Sequence, residues 1–201
     1  MNKKIIEMVN KRLMGKEVFG TGANNHNLWL QMYRDESPWL SAITLSMGIP
    51  ASIASELARL TTIEFMSEIS NDEDLDKDYQ KVVKEARTFT EHGLALGGII
   101  LKPYVSNDKI LVDYITPDLF IPISFNDKTI EHIVFIDEYQ DDEFIYRRLE
   151  EHDLTGKEYI VNNAVFRTKE RTVLGDEVSL NIIEKWSFLE ETVPMKNVDR
   201  P

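Results

Sequence analysis

The 201-residue sequence predicts an α+β fold, with helices first and an antiparallel meander after them. Three observations carry that reading. Apolar residues recur at three- and four-residue steps up to about residue 96. From Gly97 onward the apolar period shortens to that of strands. The strand-like runs are joined by short turn sequences rather than by helices, so the βαβ alternation of a parallel sheet is missing.

The opening "MNKKIIEMVNKRLMGK" reads as a short amphipathic helix with Ile5, Ile6, Val9 and Leu13 on one side. It lacks the uninterrupted apolar core and small-residue cleavage site of a signal peptide. "FGTGANNHN" has the glycine and asparagine of a loop. In "HNLWLQMYRDESPWL", Leu28, Met32 and Tyr33 stand near helical spacing, and Ser37-Pro38 ends the pattern. "GIPASIASELARLTTIEFMSEIS" opens with Gly48 and places Pro50 in a first turn, where its missing N–H costs nothing. Ile53, Ala54, Leu57 and Leu60 are expected to face the core.

The acidic run "NDEDLDKD" precedes a helix expected from about residue 75 to 94 or 96, with Tyr79, Val82, Val83, Ala86, Phe89 and Thr90 in period. Carboxylates there favour the free N–H groups of a helix start. The helix ends in "EHGLALGGIILKPY". A phosphate-binding P-loop runs strand, glycine loop, helix, and needs a Lys-Ser or Lys-Thr after its second conserved glycine. Here the order is helix, glycines, strand, so Gly97-Gly98 is a left-handed C-cap and Gly93 a place for close approach.

Residues 99–105 and 110–115 form a hairpin about "SNDK". Further strands are expected around 121–124, 130–139, 143–152 and 157–167, joined by "FNDK", "QDD" and "DLTG", with Thr155-Gly156 at a tight turn. A short helix around 180–186 and an extended tail close the chain. The whole, 1–201, reads as one α+β domain: N-terminal helices and loops in 1–47, two core helices in 48–96, antiparallel strands in 97–170, and a short helix with tail in 171–201.

Composition narrows the function. The formal net charge is −12, and no apolar run reaches the roughly 18 residues of a membrane span. An acidic surface repels phosphate backbones and anionic membranes, yet suits a protein that surrounds DNA without gripping it. With no cysteine there are no disulfides, thiolate metal sites or Cys nucleophile, which fits a reducing cytoplasm.

No catalytic constellation emerges. Asp74, Asp76, Asp78 and Glu85 fall at calcium-loop spacings, but Tyr79 occupies the position that needs glycine. Glu91-His92, Glu131-His132 and Glu151-His152 are neighbours in sequence, and adjacent residues of a strand point to opposite sides. Asp137, Glu138, Asp141, Asp142 and Glu143 read as a solvated strand end, although two of these carboxylates could meet as acid and base. The expectation is a protein without catalytic residues, cofactor or metal. Of the tryptophans Trp29, Trp39 and Trp186, the first two lie near Pro38. With Tyr33 and Leu40 they form a candidate partner or subunit interface, a core role being equally open to each.

Five phrases occur in order: "NNHNLWLQMYRDESPWL", "ASIASELARLTTIEFMSEIS", "ARTFTEHGLALGGIILKPYV", "DYITPDLFIPISFN" and "VPMKNVDRP". Together they resemble the portal proteins, often labelled minor capsid proteins, of long-tailed phages and prophages of Gram-positive bacteria, across nearly the whole chain. In that family the chain continues past "DRP". The resemblance therefore implies an N-terminal portion, the outer wing region, lacking the parts that line the tunnel and dock the packaging motor. It implies a ring of about twelve copies at a capsid vertex, a closed cyclic assembly through which DNA enters and leaves. The partners implied are other portal subunits, capsid and scaffold proteins, and terminase through the missing part; DNA passes without sequence-specific binding. The location implied is the virion, with assembly in the bacterial cytoplasm. Two rivals stand beside it: a non-catalytic adaptor contacting scaffold or capsid proteins through Trp29, Tyr33, Trp39 and Leu40, and a metal-dependent hydrolase built on the acidic turns.

Overall fold

The computed structural model describes residues 23–106, 109–127, 129–155 and 158–195. The opening amphipathic helix, the first residues of the loop after it, the tips of three hairpin turns including Gly156, and the last six residues lie outside that set. The architecture is α+β: three N-terminal helices followed by antiparallel strands in two sheets. The chain divides into two compact units, one from Asn25 to Pro117 and one containing everything from Asp118 onward. The boundary does not separate helices from strands. It falls after the first hairpin, inside the 97–170 stretch that the sequence presents as one run.

The helical unit begins with α1 (Ala23–Tyr33), α2 (Ile49–Thr62) and α3 (Glu73–Leu96). α2 starts after Gly48, whose φ of 64° is left-handed, with Pro50 in its first turn. It stops where Thr61 and Thr62 turn their hydroxyls back onto the carbonyls of Leu57 and Ala58. α3 is capped by Asp72, whose carboxylate accepts the Leu75 N–H at 2.9 Å, and Glu73, Asp74 and Asp76 fill its first turn. The calcium-like run is thus helical from Asp74 to Glu85. Its carboxylates are engaged locally: Asp76 accepts from the Ile69 N–H and the Gln80 amide, and Asp78 from Lys81 and the Ile110 N–H.

α3 ends at Gly97, φ 77°, as the glycine-rich stretch predicts. Gly93 is different from expectation: the group a Cβ there would meet is the side chain of Ile99, at 3.4 Å, and not another backbone. A hairpin of β1 (Ile100–Ser106) and β2 (Lys109–Ile115) follows, paired from Ile100↔Ile115 to Ser106↔Lys109. It is tied to α3 by the Ile110–Asp78 bond and by Phe89 against Tyr114, ring centres 5.7 Å apart.

The strand unit holds β3 (Phe120–Asn126), β4 (Thr129–Gln140), β5 (Ile145–Asp153), β6 (Tyr159–Thr168), β7 (Asp176–Val178) and β8 (Thr192–Met195). They pair antiparallel in the order β3-β4-β5-β6-β7, and β8 joins β6 as well. β7 pairs residues 165–167 of β6 and β8 pairs residues 159–162. The sequence reading missed both short strands: the expected tail is β8, and the expected short helix is two single turns of 3-10 helix at Leu180–Ile182 and Glu184–Trp186.

Both faces of this sheet are apolar at the centre. Ile121, Ile123, Val134, Ile136, Leu149, Phe166 and Leu174 form one cluster. Tyr146, Val165, Leu180, Ile183 and Trp186 form the other, the 3-10 turns supplying its outer layer. Strand alternation produces this division: in β6, Phe166 goes to the first cluster and its neighbour Val165 to the second. Trp186 is the anchor, fully buried with its indole N–H donating to Asp137 Oδ2 at 3.1 Å.

Candidate functional site

α1 carries Trp29 and Tyr33 one turn apart, which places both on the same side of the helix. Tyr33 is tied down. Its hydroxyl donates to Glu91 Oε1 at 2.8 Å and its ring meets His92 edge-on at 5.9 Å. Burial, and then the Glu91 carboxylate, push the phenol above its ordinary pKa, so it stays a neutral donor. Trp29 tilts against His26 at 5.2 Å and lies over the helix end at Gly97. A Cβ at Gly97 would sit 2.9 Å from that indole, so this glycine answers both the backbone angle and the tryptophan.

Trp29 and Tyr33 line a cleft of about 220 Å³ with Ile53, Leu57 and Leu94, whose lining is mostly apolar. Trp39 and Leu40 do not line it. Trp39 sits in the turn after Ser37, 55% exposed, and Leu40 is half-buried. The candidate patch therefore divides, with Trp29 and Tyr33 in the cleft and Trp39 and Leu40 apart from it.

The cleft exists because α2 is turned differently from its expected setting. Ala54 is buried as expected, but Ile53, Leu57 and Leu60 are 56%, 45% and 54% exposed. The buried residues of α2 are Ala54 and Ala58, and that of the α3 midsection is Ala86. Small side chains let two helices approach closely, and the bulkier residues beside them are left outward. Three- and four-residue periodicity locates an apolar stripe without telling which edge of it meets the neighbour, so Ile53, Leu57 and Leu60 were misplaced. Directly before α2, Ile43, Leu45 and Met47 are exposed as well, and the sequence reading passed over them.

The strand unit concentrates polar chemistry. His132, fully buried, donates from Nε2 to Glu151 Oε1 at 2.7 Å. Glu151 Oε2 accepts the Asn162 amide, and Asn162 Oδ1 accepts the Thr192 hydroxyl, so one chain of bonds crosses β4, β5, β6 and β8. The bond from His132 holds the Glu151 carboxyl below the usual carboxylate range against the opposing push of burial. On the other face, Glu150 receives His152 Nε2 at 2.6 Å and Arg148 at 2.8 Å, and His152 Nδ1 meets the Tyr159 hydroxyl. The Glu-His dipeptides thus exchange partners: Glu151 takes His132 and His152 takes Glu150.

Ser124 stands opposite His132 in the β3–β4 register, and Ser124 Oγ and His132 Nδ1 are both buried without a hydrogen-bond partner. Serine, histidine and carboxylate are neighbours here, but the two unpartnered atoms make no bond to each other, so the serine–histidine link of a nucleophilic triad is missing. The polar cleft beside Glu151, about 310 Å³, is lined by Asn162, Glu177 and Glu191 among others and includes neither Ser124 nor His132. Among the described residues no three His, Asp or Glu converge as a metal site, and no helix is long and apolar enough to cross a membrane. The acidic strand end is occupied by local bonds: Asp137 holds Lys185 and Trp186, Glu138 holds Arg147, Glu143 holds Lys169, and Asp141 accepts the N–H groups of Glu143 and Phe144.

Comparison with protein-family models, curated proteins and solved structures finds no match for this chain.

Proposed function

We propose that the chain is a non-catalytic assembly protein, a subunit portion of a ring of the phage portal type, working by self-association at a capsid vertex. The observation that supports this best is the outward apolar surface of the helical unit: Trp29, Ile53, Leu57 and Leu94 about the cleft, with Ile43, Leu45 and Met47 nearby in sequence. Contiguous exposed apolar surface is a common mark of contact sites. The ordered phrases that resemble portal proteins give the contact its setting, and the net charge of −12 suits a conduit that DNA traverses without sticking.

Negative-stain microscopy of the product of the complete gene tests the reading. It expects closed rings with a central channel. Monomers persisting under assembly conditions would overturn it.

A further inference from the structure

We infer that the strand unit binds one internal water between Ser124 of β3 and His132 of β4, and that this water positions His132 for the bonds that hold β8. The site lies beside the first apolar cluster, on the face of β4 that Val134 and Ile136 share. Nothing in it requires assembly into a ring.

The β3–β4 register steps unevenly at this point. From Pro122↔Ile133 to Ser124↔His132 the pairing advances two residues on β3 and one on β4. From Ser124↔His132 to Phe125↔Ile130 it advances one on β3 and two on β4. Ile123 and Glu131 are thus the extra residues of two compensating bulges, with the Ser124–His132 pair between them. A bulge breaks simple alternation, so Ile123 joins the apolar cluster while Ser124, next to it, stands opposite His132. Directly opposed residues of an antiparallel pair hold their Cβ atoms about 4.5–5.5 Å apart. Ser124 Oγ and His132 Nδ1 nevertheless stay unpartnered, and His132 is only 2% exposed.

The chemistry of the pair calls for a third group. The Glu151 carboxylate accepts from His132 Nε2, so in a neutral imidazole the proton sits on Nε2 and Nδ1 is left as an acceptor. That acceptor needs a donor, and the hydroxyl opposite it does not bond it. A water does what the serine does not: it donates one hydrogen to Nδ1 and bonds Ser124 Oγ as well. Buried polar atoms left over by the chain are commonly met this way, by a water with about three partners. A metal ion fits worse, because among the described residues no three His, Asp or Glu converge here. The consequence reaches β8. His132 holds Glu151, Glu151 holds Asn162, and Asn162 holds Thr192 at the start of that strand. The water gives the imidazole a second polar anchor, which keeps Nε2 turned to Glu151. Ser124 and the water are positioning groups for this chain of bonds.

The test is NMR on the full 201-residue chain in mildly alkaline buffer. Wild type should show cross-peaks from one long-lived water to both Ser124 and the His132 ring, with the ring proton on Nε2 and none on Nδ1. Two variants of one shape then isolate the hydroxyl. Ser124→Val should lose the water signal and speed amide exchange at Thr192, Val193 and Met195 by about tenfold. Ser124→Thr, which keeps the hydroxyl, should retain the water and the slow exchange. A wild-type protein without the water signal, with Ser124 bonded directly to Nδ1, or with a proton on Nδ1 would overturn the site. Equal exchange of the β8 amides in the valine and threonine variants would overturn its role in holding β8. Should circular dichroism show either variant misfolded, the wild-type water signal and ring protonation decide the matter.

Discussion

The two units dispose of their apolar residues in opposite ways. In the helical unit the buried apolar residues are Ala54, Ala58, Ala86 and Leu96, three of them alanine. In the strand unit they include Phe135, Tyr146, Phe166 and Trp186 together with a run of isoleucines, leucines and valines. Exposure is reversed. Among the described residues, all the large exposed apolar side chains except Leu119, Phe125, Tyr139, Ile182 and Phe188 belong to the helical unit. Burial stabilises by roughly 25 cal/mol per Å², so the strand unit holds itself together and the helical unit has apolar surface left to gain by docking. A thin core of alanines with leucine and isoleucine outside is the disposition that the proposed self-association would complete.

That contrast can be broken from the strand side first. Trp186→Ala removes the anchor of one cluster and leaves Asp137 without its indole donor, and should cost about 3–5 kcal/mol in urea unfolding followed by far-UV circular dichroism. Gly175→Ala should cost about 3 kcal/mol. Its φ is 93°, and a Cβ would lie 2.1 Å from the Arg167 carbonyl oxygen, so backbone strain adds to overpacking.

The next effect depends on pH. The Glu151 carboxyl is held low in the folded state by His132, so its contribution is present above the ordinary glutamate value of about 4.3 and is lost as pH falls through the depressed value. Glu151→Gln should lower stability at neutral pH and flatten the acid limb of the stability profile, read as unfolding midpoints across that range. A variant with the wild-type acid slope would show that this bond contributes nothing.

The helical unit should respond more mildly. Gly97→Ala forces a left-handed residue to carry a Cβ pressed against Trp29, and should cost about 1–2 kcal/mol with a change in tryptophan emission. A cost as large as that of Trp186→Ala would erase the contrast between the units.

Much of the fold was legible because local chemistry decided it. Gly48-Ile-Pro50 announced the start of α2, Asp72 and its acidic neighbours the start of α3, and Gly97 its end. The hairpin turns likewise marked the strands up to β6. The 3-10 turns and the short β7 and β8 were illegible, because three or four residues carry no period and their pairing is decided by distant residues of β6. The orientation of α2 was misread for a related reason: alanine is weakly apolar in a pattern yet decisive in helix contact. Of the candidate site, Trp29 and Tyr33 were legible as large aromatics at helical spacing. Trp39 and Leu40 were grouped with them by closeness in sequence, which the turn after Ser37 does not preserve. The alternation of Ile43, Leu45 and Met47 was visible, but in a polar loop it resembled neither helix nor strand.

The most direct test of the central claim is amide hydrogen exchange on the full chain at low and high protein concentration. If the helical unit is completed by another copy, protection around residues 43–60 should rise with concentration while residues 130–166 stay unchanged. Protection that is independent of concentration throughout, or that rises only in the strand unit, would contradict it.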